Sequence, residues 1–152
     1  MLELKRSGVR QAVVELDLRL SRRQEVVEEL LRRAPALDSG ERALIESVFK
    51  LGRSAAQIAA LTGERKKLVR TRVRRVMARA MSREFGFVMT HSCRWPRTLR
   101  TVAQQRFIRG LSMREVARAL NMRLHTVRKH CEWVRIEMEV GETESTERGA
   151  AA

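Results

Sequence analysis

Aromatic residues and prolines are scarce in this chain. Its 152 residues include four Phe, two Trp, two Pro and no Tyr. Strands are enriched in aromatic and β-branched residues, whereas a composition rich in Ala, Leu, Arg and Glu favours helix. The hydrophobic content of 43% is sufficient for helical cores of modest volume. The composition therefore predicts an all-α protein and argues against disorder throughout.

Long apolar runs are absent from the sequence as well. No stretch reaches the roughly 18 apolar residues that mark a membrane-spanning helix. The first thirty residues are charged throughout and lack the apolar core and small-residue cleavage site of a signal peptide. The two cysteines, Cys93 and Cys131, are expected to be reduced thiols. We expect a soluble, cytoplasmic protein with no membrane partner.

Motifs for catalysis and metal binding are equally scarce. The sequence holds no glycine-rich phosphate loop, no nucleophile elbow and no paired acidic residues of the kind that nucleases use to hold metal ions. His91, Cys93, His130 and Cys131 have metal-binding side chains. Adjacent helical residues point about 100° apart, however, so His130 and Cys131 do not readily share one tetrahedral ion. We expect no enzyme, no cofactor and no metal site.

Acidic residues are few relative to basic ones. The chain has 18 of the former and 32 of the latter, which gives a formal net charge of +14. The surplus lies mostly in two blocks: residues 37–81 hold 11 basic and 4 acidic side chains, and residues 96–139 hold 10 and 4. Most of the basic residues are Arg, whose planar guanidinium group matches phosphate and guanine edges. This excess indicates a polyanionic partner.

The two basic blocks repeat each other at an offset of 58 residues. Apolar, small and turn positions agree together, as two copies of one supersecondary unit require. Matched pairs include Phe49 with Phe107, Gly52 with Gly110, Ser54 with Ser112, Ile58 with Val116, Ala59 with Ala117, and Val69 with Val127.

Both copies predict the same order of helices. In the first copy an apolar helix ends at Gly52, Ser54 caps a short helix, and Gly63 separates it from a longer helix over about 65–81. We place the following residues on the apolar face of the longer helix: Leu68, Val69, Val73, Val76 and Ala80. The second copy has its stop at Gly110, its cap at Ser112 and its turn at Asn121, which also tolerates positive φ. Its last helix, over about 124–140, turns Val127, Cys131, Val134 and Met138 inward.

The remaining segments divide the chain further. Residues 1–36 predict an amphipathic N-terminal helical segment with a stripe of Val9, Val13, Leu16 and Leu20. The copies span 37–81 and 96–140. Residues 82–95 form a linker apolar enough to pack against one or both copies, and the small, acidic tail over 141–152 predicts disorder.

The second copy resembles a known family of DNA-binding domains. Residues 111–130, LSMREVARALNMRLHTVRKH, are similar to region 4 of sigma-70-family factors and to the output domain of LuxR-type regulators. The first copy resembles them too, although its turn, Thr62-Gly63-Glu64, departs from the usual Leu-Gly-apolar pattern. The resemblance implies an all-α fold with two tandem helix-turn-helix units of three to four helices each.

In that family the second helix of the motif lies in the major groove, where exposed early residues contact bases and flanking cations contact phosphates. The resemblance implies that these residues contact DNA bases or lie beside those that do: Lys66, Lys67, Arg70 and Thr71 in the first copy, and His125, Thr126, Arg128 and Lys129 in the second. It also implies phosphate contacts, or helix caps in the case of the hydroxyls, at Arg74, Arg75, Arg123, Ser54 and Ser112.

The leading hypothesis is a sequence-specific bacterial transcription regulator that binds double-stranded DNA through both copies, in the cytoplasm at the nucleoid. The resemblance also implies a site near a promoter and contact with RNA polymerase. Two alternatives stay open: a polymerase-associated adaptor in which the first copy has lost DNA contact, and a nonspecific architectural nucleic-acid binder. Two different recognition helices favour a non-palindromic or direct-repeat site, whereas a homodimer formed through the N-terminal segment would allow a palindrome.

Overall fold

The computed structural model describes residues 23–150, with the side chains of residues 23–142. Over that range the chain forms eight α-helices and no strand, which confirms the predicted all-α fold. The helices are α1 (23–33), α2 (Ser39–Phe49), α3 (Ala55–Thr62), α4 (Lys66–Ala80), α5 (Arg83–His91), α6 (Arg97–Ala103), α7 (Met113–Ala119) and α8 (Leu124–Ala150). A π-helical segment, Gln104–Ile108, continues α6, and 3-10 turns follow α1 and α5. The predicted N-terminal stripe, Val9 to Leu20, lies outside the described residues.

The short helices of the two copies begin with the same cap. The Ser54 hydroxyl accepts from the Gln57 amide (3.2 Å) while the Ser54 amide donates to the Gln57 side chain (2.8 Å). In the second copy the Ser112 hydroxyl accepts from the Glu115 amide (3.2 Å) and the Ser112 amide donates to the Glu115 carboxylate (2.7 Å). Each reciprocal pair satisfies two backbone donors that a helix start leaves unpaired. Both serines are therefore helix caps.

The turns of the two copies also match. Gly63 and Asn121, which are 58 residues apart, both adopt left-handed backbone, with φ of 71° and 50°. Asn is one of the few residues besides Gly that reach this region at low cost. The order short helix, tight turn and long helix thus occurs twice, as α3 and α4 and again as α7 and α8.

One large hydrophobic cluster crosses both copies. It joins Leu30 of α1 and Ile45, Val76 and Ala80 of the first copy to Phe85 and Val88 of α5 and to Val102, Val116, Val127 and Val134 of the second. Phe85 and Val88 are fully buried, so the segment expected to be an apolar linker contributes a helix to the centre of the molecule. Since the copies share this cluster, neither has a complete core of its own.

A second, smaller cluster belongs to the first copy. Leu44, Ile58 and Val69 are buried together, at the junction of α2, α3 and α4. Partly buried side chains, including Val48 and Val73, surround them. This cluster packs α3 against α4 and so fixes the direction in which α4 leaves the turn.

The C-terminal helix is longer than the sequence predicts. Composition predicts disorder from residue 141, whereas α8 continues to Ala150. Met138 is buried near its middle, and the Glu142 carboxylate pairs with the Arg83 guanidinium group of α5. These contacts hold the helix at the point where Gly141 alone would weaken it. Within the described residues, no helix is both long and apolar enough to cross a membrane.

Candidate nucleic-acid interface

Helix α4 presents a cationic face to solvent. Successive residues on a helix are rotated by about 100°, so Lys67, Thr71 and Arg74 share a face. The buried Val69 and Val76 point the opposite way. All six predicted contact residues of this helix are exposed: Lys66, Lys67, Arg70, Thr71, Arg74 and Arg75.

The cations on this face are not neutralised by the protein. Among residues 23–142, none of the five Lys and Arg side chains of the α4 face forms an ion pair. Other arginines of the same helix do: the Arg72 guanidinium group lies 2.6 Å from the Glu64 carboxylate, and Arg79 pairs with Glu41. Acidic partners therefore hold the arginines at the side of α4, while its outer face keeps its full charge.

Thr71 is more restricted than the sequence indicates. Its hydroxyl donates to the Lys67 carbonyl (3.0 Å). The hydroxyl proton of Thr71 is therefore not free to donate to a ligand. Its methyl group and the lone pairs of its oxygen can still make an external contact.

Helix α8 repeats this arrangement over its first turns. Arg123, His125, Arg128 and Lys129 are exposed, and Thr126 is half-buried. No acidic residue occurs in the first turn of either α4 or α8, so the positive end of each helix dipole adds to the cationic side chains.

The two long helices differ farther along. Arg74 and Arg75 of α4 correspond to Glu132 and Trp133 of α8. The cationic face of α4 therefore extends over about three turns, whereas on α8 the acidic Glu132 separates Arg128 and Lys129 from the exposed Arg135. Beyond Lys129, α8 exposes the apolar side chains of Trp133 (39% exposed), Ile136 (51%) and Val140 (48%).

Leu68 is a candidate for contact with a nucleic acid, although helical periodicity predicts it to be buried. Its expected position was the apolar face of the long helix, yet its side chain is 54% exposed. It follows Lys67 at the start of α4 and is rotated by about 100° from the buried Val69. The repeat register could have identified it, because Leu68 corresponds to Thr126, which the resemblance places at the DNA.

The cysteine and histidine side chains form no metal centre in the described part of the chain, where no group of three metal-binding side chains comes together. Cys131 is buried, and burial raises the pKa of its thiol, an effect that nearby Arg106 and Arg135 partly oppose. Its thiol packs in the shared cluster as an anchor of α8. Trp95 and Trp133 pack edge to face, with ring centroids 5.6 Å apart, and so join the end of the predicted linker to the second copy.

Comparison of the chain with protein-family models, with curated proteins and with solved structures found no match. The likeness to sigma region 4 stays a prediction from the sequence. The geometry of α4 and α8, with their exposed charges and their packing on one shared core, is therefore the basis on which a function can be inferred.

Proposed function

We propose that this protein is a sequence-specific DNA-binding transcription regulator, with α4 and the first turns of α8 as its two recognition helices. Each helix would enter the major groove of double-stranded DNA as the second helix of a helix-turn-helix unit. The sigma-like sequence further suggests a site near a promoter, where RNA polymerase would be a second partner.

One observation carries this proposal: the exposed faces of two corresponding helices carry cations that have no acidic partner among residues 23–142. Chance placement of surface arginines would mix them with nearby carboxylates, as occurs at Arg72 and Arg79. A duplex supplies the missing negative charge, and its condensed counterions are released when Lys and Arg replace them.

The side chains at the start of each helix suit direct readout of bases. Arg and Lys donate to O6 and N7 of guanine, which favours contacts from Lys67, Arg70 and Arg128. Leu68 would make an apolar contact with a thymine methyl group. Because His125 and Lys129 stand where the first copy has Lys67 and Thr71, the two helices would prefer different bases. We therefore favour a non-palindromic target.

Selection of bound sequences from a random duplex library tests this function. We expect an enriched motif with two unlike elements, bound at least a thousandfold more tightly than random duplex at physiological salt. Affinity should then be measured across salt concentrations for the selected and random duplexes. A ratio near one at every salt concentration contradicts specific regulation and supports the nonspecific architectural binder.

An RNA polymerase-associated adaptor is a second candidate, and the exposed apolar residues of α8 favour it. Trp133, Ile136 and Val140 follow one another at helical spacing and offer a surface that a protein, not a duplex, would cover. The backbone of Gly63 matches that of Asn121, so the turn gives no reason to single out the first copy. Lys67→Ala combined with Arg70→Ala discriminates: unchanged DNA affinity with lost polymerase association supports the adaptor.

A further inference from the structure

A cleft of about 280 Å³ lies between the two copies and reaches the outer face of α4 at Arg75. Four arginines line it: Arg75 and Arg79 from α4, Arg106 from the π-helical segment and Arg135 from α8. Ser82, Phe107 and Gly110 complete much of the wall, and Glu84 is the one acidic residue that lines it. The cleft thus gathers cations from three elements that are far apart in sequence.

The arginines of this cleft have few acceptors. Arg79 pairs with Glu41, and Arg106 donates from Nη1 to the Leu111 carbonyl (3.1 Å). The Nε atoms of Arg79 and Arg106 are buried and have no hydrogen-bond acceptor among the described residues. A buried donor without an acceptor destabilises the folded state, and an external acceptor would remove that cost. Arg75 and Arg135 are exposed, and within residues 23–142 neither forms an ion pair.

This cluster is not a by-product of the repeat. At the offset of 58 residues, Arg75 corresponds to Trp133 and Arg79 to Glu137, while Arg106 corresponds to Val48 and Arg135 to Met77. None of the four arginines has a basic counterpart in the other copy. The cluster therefore arises only where the two copies meet.

Backbone geometry also accommodates the cluster. A side chain at Gly110 would place its first carbon 2.6 Å from Nη1 of Arg79 and 2.8 Å from its Cδ. The absence of that carbon lets the stem of Arg79 lie directly against the turn of the second copy. Arg79 is thereby held with its side chain only 15% exposed.

We propose that the cleft between the copies binds a phosphate group through Arg75, Arg79, Arg106 and Arg135. Guanidinium groups match phosphate oxygens in pairs, and the four guanidinium groups outnumber the three carboxylates near them, those of Asp38, Glu41 and Glu84. The phosphate belongs either to the backbone of the bound duplex or to a free phosphorylated ligand. The duplex source rests on the proposed function, and the free-ligand source does not.

The first arm of the test uses inorganic phosphate and pyrophosphate. Thermal unfolding of the full chain is followed while chloride is replaced by either anion at constant ionic strength. We expect a saturable rise in Tm, since a ligand that binds only the folded state stabilises it. Arg135→Ala, which removes an exposed side chain, should weaken this binding about tenfold. Arg106→Gln, which retains a donor for the Leu111 carbonyl, should do the same.

The second arm measures duplex affinity against salt. Loss of one phosphate contact reduces the slope of log K against log salt by about 0.9, and this is the change expected for Arg135→Ala. Arg23→Ala is the matched control in both arms, because Arg23 is an exposed arginine of α1 that lies outside the cleft and forms no ion pair with the described residues. It removes the same charge and should change neither the anion response nor the slope.

The outcomes separate the two sources and the two proposals. An anion response weakened in Arg135→Ala with an unchanged slope assigns a free ligand, and a changed slope without an anion response assigns the duplex backbone. Changes in both arms show that the cleft accepts a phosphate from either source. No change in either arm, or equal changes in Arg23→Ala, overturns the cleft proposal. Absence of any duplex binding removes the proposed function while leaving the anion arm able to support the cleft.

Discussion

Gly63 occupies a turn position of the first copy where an ordinary side chain is strained. Its φ is 71°, and a carbon added there would meet no atom within 4 Å. The cost of Gly63→Ala is therefore conformational, and we expect the free energy of unfolding to fall by about 1–2 kcal/mol. Denaturant unfolding measures this change.

Gly141→Ala is the matched control for that substitution. Gly141 lies within α8, has no positive φ, and would also have space for an added carbon. Since Ala is the better helix former, this variant should be more stable by about 0.5–1 kcal/mol. Effects of the same sign at the two glycines would contradict the different backbone conformations assigned to them.

Glu29 gives the stability of the protein an acid-sensitive component. Its carboxylate accepts from Arg32 (2.7 Å) and Arg33 (2.5 Å), and these hydrogen bonds lower its pKa from the usual 4.5 to about 2. A carboxyl group with a lowered pKa in the folded state stabilises that state above its unfolded pKa. This contribution is lost as the pH falls from about 4.5 through about 2.

We expect Glu29→Gln to be less stable than the wild type near neutral pH and to lose less stability across that acid window. Denaturant unfolding at a series of pH values tests this. Glu25→Gln is the control, because Glu25 is an exposed residue of the same helix. If the free energy of unfolding depended on pH equally in the wild type and in Glu29→Gln, the Glu29 interactions would have to persist equally in the unfolded chain.

Among the elements, α4 and α8 carry the functional prediction. Arg70 and Arg128 are equivalent exposed residues on these helices. If each contacts a base, Arg70→Ala and Arg128→Ala should weaken binding to the selected duplex by about 1–3 kcal/mol and relax specificity at different positions of the motif. Quantitative binding to single-base variants of the motif measures both effects.

Arg23→Ala removes an equal charge from α1 and should leave the base preference intact. Should only one of the two recognition-helix variants change the preference, the other copy would contact DNA without reading bases. Equal weakening on all sequences would assign both arginines to phosphates.

Local sequence signals predicted most element boundaries. Ser54, Gly63, Ser112 and Asn121 all act as caps or turns where the sequence placed them, because capping depends on residues within a few positions of each other. The length of α8 was underestimated. Its C-terminal extension is accompanied by the contact of Glu142 with Arg83, which is far away in sequence and which local signals do not indicate.

At the scale of the whole molecule, the two hydrophobic clusters differ in size. The small cluster has three buried residues, and the shared cluster has eighteen. We expect amides of α3 to exchange through local opening at a lower free energy than amides in the middle of α8. Hydrogen exchange under native conditions measures this difference.

Substitutions at Ile58 and Val116, which are equivalent residues of the two copies, test the same difference in hydrogen exchange. Ile58→Ala should speed exchange mainly in α3, whereas Val116→Ala should destabilise the whole protein, because Val116 lies in the shared cluster. Equal protection of α3 and α8 in the wild type would show that the two clusters unfold as one.

The cleft between the copies was beyond the reach of sequence reasoning. Arg79 reaches Glu41, 38 residues away, and Arg33 donates to the Ala80 carbonyl (2.8 Å), 47 residues away. Periodicity identifies which residues of one helix face inward, but not which arginines of separate helices converge. The shared cluster escaped prediction for the same reason, although the apolar character of residues 82–95 indicated that this segment packs.

That shared cluster has a consequence for target choice. Because α5 and its neighbours join the copies through packed side chains and not through a flexible tether, the span between the two cationic faces is set before any duplex arrives. The protein would then bind only target elements at one spacing. Inserting or deleting a few base pairs between them would lower the affinity, because the rigid join between the copies cannot adjust to the new spacing.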